Sequence, residues 1–115
     1  MFLSHKNNGQ YALEIGPGAG GRAQTVTVTA GTSYVLSGLG RITYHNDLGW
    51  IGVHYLDALG NQVAQQSYIS FESIENDLKS ILRQTPANTA QIRIWAWKNA
   101  GSGFFFVDDF ALIKQ

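Results

Sequence analysis

Threonine alternates with other residues through Gln24-Thr25-Val26-Thr27-Val28-Thr29, a period of two that describes a strand with one face buried. The same pattern of β-branched and aromatic residues between turn residues continues down the chain. It makes Tyr34 to Tyr44, Trp50 to Asp57, Gln62 to Phe71, Gln91 to Lys98 and Phe104 to Ile113 extended. Ala30-Gly31-Thr32, Asn46-Asp47-Leu48-Gly49, Ala58-Leu59-Gly60-Asn61 and Asn99-Ala100-Gly101-Ser102-Gly103 separate them. In Ser73 to Gln84, the residues Ile74, Leu78, Ile81 and Leu82 fit a helical stripe, whereas Leu78 to Arg83 also reads as a strand running into Thr85-Pro86; a short turn followed by a strand is the favoured reading. About seven short strands at spacings of roughly 8 to 12 residues predict an all-β antiparallel sandwich, its hairpins laid out as a meander.

Strand parity then assigns faces. In Gln91 to Lys98, Ile92, Ile94 and Ala96 form the core side, which turns Arg93, Trp95 and Trp97 outward. In Trp50 to Asp57, Ile51, Val53 and Tyr55 face in, and Trp50, Gly52, His54 and Leu56 face out. All three tryptophans of the chain therefore fall on one outer surface with an arginine and a histidine. Indoles each offer roughly 150 to 250 Å² of contact area, so exposing several is costly without a partner to cover them. Flat rings suit the apolar faces of pyranose sugars, with Arg93, His54, Gln66 and Tyr68 as candidate partners for hydroxyls; the plain structural alternative is tryptophan packed beneath loops. Trp95 and Trp97, two positions apart, place their rings roughly 6 to 7 Å apart along the strand, close to one sugar unit.

Composition narrows the field. A chain of 115 residues makes a single domain, 1-115. Eight basic residues balance eight acidic ones, so nothing argues for nucleic acid or a membrane surface as partner. Cysteine is absent, which excludes disulfides and thiolate chemistry. No stretch approaches the roughly 18 apolar residues of a membrane span, and Met1 to Lys6 lacks the order of a signal peptide.

One motif points elsewhere and fails. Gly16, Gly18 and Gly21 match G-x-G-x-x-G, and Gly16 to Arg22 comes close to a phosphate loop. Such loops feed a helix whose N-terminal N–H groups face the anion. Here the glycines lead into the Thr/Val strand, and no acidic residue stands between Arg22 and Tyr44 to hold a ribose. The glycines are a wide turn. Catalytic signatures are also lacking: Asp108 and Asp109 are neighbours on a strand and should point to opposite faces, and His5, His45 and His54 are isolated in sequence. The chain reads as a non-enzyme.

The order of "GQYALEIGPGAGGRAQTVTVTAGTSYVLSG", "WIGVHYLDALGNQV" and "TPANTAQIRIWAWKNAGSGFFFVDDFAL" resembles bacterial carbohydrate-binding modules of the β-jelly-roll superfamily that includes families 4, 9, 16 and 22. The resemblance spans roughly residues 9 to 113, and departs at the front, where only Met1 to Asn8 precede the Tyr-Ala-Leu strand. It implies a jelly roll of two packed sheets that binds a polysaccharide or oligosaccharide. It also implies an extracellular setting, as part of a larger multi-domain chain with a linked enzyme. A structural calcium ion is implied as well, held by Asp109, or alternatively Asp108, together with oxygens of the opening strand. A structural or adhesive sandwich of the cell-surface or phage-fibre type, meeting another protein through its aromatics, is the other class open to such a sequence.

Overall fold

The computed structural model describes residues 13–115. Tyr11 and Ala12 of the expected opening strand, with all that precedes them, lie outside the described residues. Eight strands follow one another: β1 (Leu13–Ile15), β2 (Gly20–Thr27), β3 (Ser33–Ile42), β4 (Gly49–Leu56), β5 (Ser67–Phe71), β6 (Asp77–Gln84), β7 (Gln91–Lys98) and β8 (Phe105–Lys114). They form two antiparallel four-stranded sheets, a first in the order β1-β8-β3-β6 and a second in the order β2-β7-β4-β5. The chain is an all-β sandwich, with no helix among the described residues.

The meander is overturned. Among the described strands only β4 and β5 are neighbours both in sequence and within a sheet; every other step along the chain crosses from one sheet to the other. Alternating patterns fix which side of a strand is buried, but they do not say which strand it pairs with. One boundary also moves. The expected strand from Gln62 begins at Ser67, because Gln62 makes only an isolated bridge to Leu56 and Val63 N–H donates to the Tyr55 carbonyl. Ser73 to Gln84 resolves as a turn followed by β6.

The core lies between the sheets and follows the parity. Ile51, Val53 and Tyr55 of β4 and Ile92, Ile94 and Ala96 of β7 are buried against Leu36, Ile42, Phe105, Val107 and Phe110 of the first sheet. The Tyr55 hydroxyl, buried at its ring, shares a hydrogen bond of 2.8 Å with Ser67. Phe71 and Phe105 meet across the layers with ring centroids 5.5 Å apart.

Inward parity on β7 ends on a charge. Lys98 is fully buried, and its Nζ lies 3.3 Å from Asp47, whose side chain is 2 % exposed. The ammonium also donates to the carbonyls of Asn99 at 2.9 Å, Gly101 at 3.3 Å and Gly18 at 3.4 Å. Asp47 accepts the Gly103 N–H at 2.9 Å. Three loops are thereby tied together at one end of the sandwich: the glycine turn, the β3–β4 loop and the β7–β8 loop. The Gly18 N–H completes the tie by donating to the Gly101 carbonyl. Gly18 itself has φ 84°, a backbone region that favours glycine. The glycine loop is thus a turn that carries the chain from the first sheet to the second, with a lysine of the fold as its binding partner.

Candidate functional site

The outer face of the second sheet is built on β7, an inner strand flanked by β2 and β4. Register sets its rows. Trp97 lies between Gly21 and Trp50, Trp95 between Ala23 and Gly52, and Arg93 between Thr25 and His54. Beyond β4, Ser70 and Tyr68 of β5 continue the first two rows. All five residues singled out from the sequence, Trp50, His54, Arg93, Trp95 and Trp97, line one open concavity of about 640 Å³, with Gly21, Arg22, Ala23 and Gln66 around them.

The indoles owe their pose to missing side chains. A Cβ at Gly52 would overlap the six-membered ring of Trp95, and one at Gly21 would come within 2.7 Å of Cε3 of Trp97. Each ring therefore occupies the gap left by a glycine on an adjacent strand. The gaps lie on opposite sides of β7, so Trp95 leans toward β4 and Trp97 toward β2. This differs from two rings in file along the strand: the Cβ atoms keep that file, but the rings diverge.

Exposure grades the three. Trp97 is 43 % exposed, while Trp50 and Trp95 are half-buried. Trp95 rests on the sheet through van der Waals contact, and its Nε1 is covered without a hydrogen-bond partner. The His54 ring sits 5.9 Å from it, tilted by 35°. Partial burial, followed by the neighbouring Arg93 charge, holds the His54 imidazole below its ordinary pKa. Arg93 is exposed and makes no ion pair among the described residues.

Sequence reasoning missed Arg22. It pairs with Ala96, whose side chain faces the core, and parity would send it inward. β2 is an edge strand among the described residues, and there Arg22 is exposed, donates to the Gly21 carbonyl at 2.9 Å and lines the concavity. Its place on an edge strand was not readable before the pairing was known. Of the candidate hydroxyl partners, Gln66 lines the concavity, whereas Tyr68, 55 % exposed, does not.

Asp108 and Asp109 lie far from this face, on β8 of the first sheet. They do not point to opposite faces as neighbours on a regular strand would. The β3–β8 register slips between Ser37 and Leu39, Asp109 takes φ 50°, and both aspartates are exposed. A calcium ion needs six to eight oxygens, yet no group of three or more Asp, Glu or His side chains gathers among the described residues. The oxygens that the resemblance takes from the opening strand lie outside them.

No family model matches the chain, and no curated protein matches it in sequence. Solved structures do match it in shape. A family 16 carbohydrate-binding module superposes with a TM-score of 0.74 at 21 % identity, over 95 % of this chain and 79 % of its own. A family 61 module in complex with β-1,4-galactotriose superposes with a TM-score of 0.56 at 18 % identity, over 92 % of this chain and 65 % of its own. The enzymatically active domain of bacteriophage CBA120 tailspike protein 4 gives a TM-score of 0.76 at 14 % identity, with this chain covering 15 % of that one. At these identities the likeness is one of fold: the chain has the two-sheet jelly roll found in carbohydrate-binding modules.

Proposed function

We propose that this domain is a non-catalytic module that binds a polysaccharide on the outer face of its second sheet, and that it holds a larger extracellular protein on its substrate. The observation behind this is the floor of the concavity, where Trp50, Trp95 and Trp97 lie with Arg93, His54 and Gln66 as polar neighbours. Flat apolar rings beside hydrogen-bonding groups match a pyranose, which has apolar faces and a polar rim. The shared fold with carbohydrate-binding modules supports the same reading. A module of this kind acts by raising the effective concentration of whatever it is linked to.

A second reading has its own observation. Leu78 and Leu82 of β6 are 74 % and 58 % exposed on the first sheet, which favours contact between that surface and another protein. One experiment separates the two. Affinity electrophoresis of the purified domain through gels containing soluble polysaccharides should show retardation in at least one, and Trp97→Ala should reduce it while leaving the fold intact by circular dichroism. Retardation in none of a broad panel, or retardation unaffected by Trp97→Ala, overturns the platform.

A further inference from the structure

The charge on the candidate face is one-sided. No Asp or Glu stands on any strand of the second sheet, and none lines the concavity. Arg22 and Arg93 both do, with His54 directly across from Arg93 on β4 and 5.9 Å from the Trp95 ring. The chain as a whole is neutral, so its acids must stand elsewhere. Glu14, Asp77, Asp108 and Asp109 lie on strands of the first sheet, and Glu72 and Glu75 in the loop that leads from β5 to β6. Asp47 is neutralised in the buried pair with Lys98. The Asp57 carboxylate is engaged by the backbone N–H groups of Leu59 and Asn61, each at 2.9 Å.

Hydrogen-bonding capacity is one-sided too. Arginine and the indole N–H donate and never accept. Among the side chains of the concavity, only the Gln66 amide oxygen and a neutral His54 nitrogen accept. A neutral sugar presents hydroxyls, each both donor and acceptor, and is best met by a mixture of the two. A carboxylate only accepts, and matches the planar fork of an exposed guanidinium in two parallel bonds.

Resting on the reading of this face as a glycan platform, we infer that the glycan it takes is acidic: a chain of pyranose rings bearing carboxylates, stacked on Trp95 and Trp97 with its acid groups on Arg93 and Arg22. The rings supply stacking common to all sugars. The arginines select among them.

Titration calorimetry with matched glycans tests this. Polygalacturonate, alginate and hyaluronan are each compared with their own methyl esters, which keep the rings and remove the charge, alongside neutral galactan, glucomannan and xylan. At least one acidic chain should bind tenfold or more tightly than its ester, and its affinity should fall as sodium chloride is raised. Arg93→Gln should cost about ten- to a hundredfold on the acid, and less on the ester. Trp97→Ala should weaken both alike, and Arg83→Gln, on the first sheet, neither. If neutral chains or esters bind as well as the acids, or a sulfated galactan binds better than every uronate, the inference falls while the platform stands. Binding of no glycan, or equal binding of poly-L-glutamate, which has no sugar rings, overturns both.

Discussion

One strand, β7, serves two regions of opposite character. Its inward positions end in Lys98, a charge sealed from water and held by Asp47 and three carbonyls. Its outward positions carry Trp95 and Trp97, large apolar rings left partly open to water. Each side inverts the usual placement of its residue type. The inward inversion ties loops together at the end of the sandwich, and removing it should cost stability. The outward inversion leaves apolar area for a partner, and removing it should cost binding.

The largest effect belongs to the inward region. Lys98→Ala leaves Asp47 buried and unpaired, and should cost about 3 to 5 kcal/mol of folding stability, against a total of about 5 to 15 kcal/mol for a domain. Urea unfolding measures it. A loss below about 1 kcal/mol would show that the pair is not the tie that its geometry describes. Glycan affinity of the folded fraction should be unchanged, which keeps the two regions apart.

Gly52→Val mixes them. The new side chain displaces the Trp95 ring from its gap, which should cost about 1 to 3 kcal/mol of stability by overpacking and weaken glycan binding by about tenfold. Trp95→Phe probes the same gap more gently. Since the Trp95 Nε1 has no partner to lose, Phe should retain most of the stability, and thermal melts would reveal any larger drop.

Trp97→Ala should show the outward signature, a loss of about 1 to 2 kcal/mol in binding, at roughly 25 cal/mol per Å² of covered ring, with a stability change under about 1 kcal/mol. The reverse pattern would make Trp97 a core residue.

The smallest effect is the pH response of His54. Its folded pKa lies below the ordinary 6.5, so between that value and 6.5 the unfolded chain binds the proton more readily. Stability from this residue should therefore be level above pH of about 6.5 and decline as pH falls through the interval between the two. Denaturant midpoints measured across that range should flatten in His54→Gln, and an unchanged slope would assign the effect to another group.

Alternation made the faces of β4 and β7 readable, because apolar and polar residues there change places at every step. It also placed Trp50, His54, Arg93, Trp95 and Trp97 on one surface before any pairing was known. The pairing itself was not readable: β2 with β7 and β3 with β8 join segments distant in the chain. What depends on pairing was hidden with it, including the edge position of Arg22 and the lean of each indole toward a glycine on a neighbouring strand. Lys98 was hidden for another reason. A lysine at a strand's end ordinarily reaches water, and only the meeting of three loops over it makes a closed pocket of carbonyls. The bulge at Asp109 leaves no mark in a run of Val107-Asp108-Asp109-Phe110.

The glycine gaps make the groove's shape a property of residues with almost no surface to offer a ligand. Trp95 has Ala23 on one side and Gly52 on the other and lies over the smaller. Exchanging the two, with glycine at 23 and alanine at 52, should tip the ring across the strand and turn the groove's axis without altering one aromatic residue. On the proposed platform, two domains with the same tryptophans would then present different grooves, and an inventory of aromatics alone would group them together. Single-carbon changes on the strands either side would thus reshape the proposed platform while every aromatic stays the same.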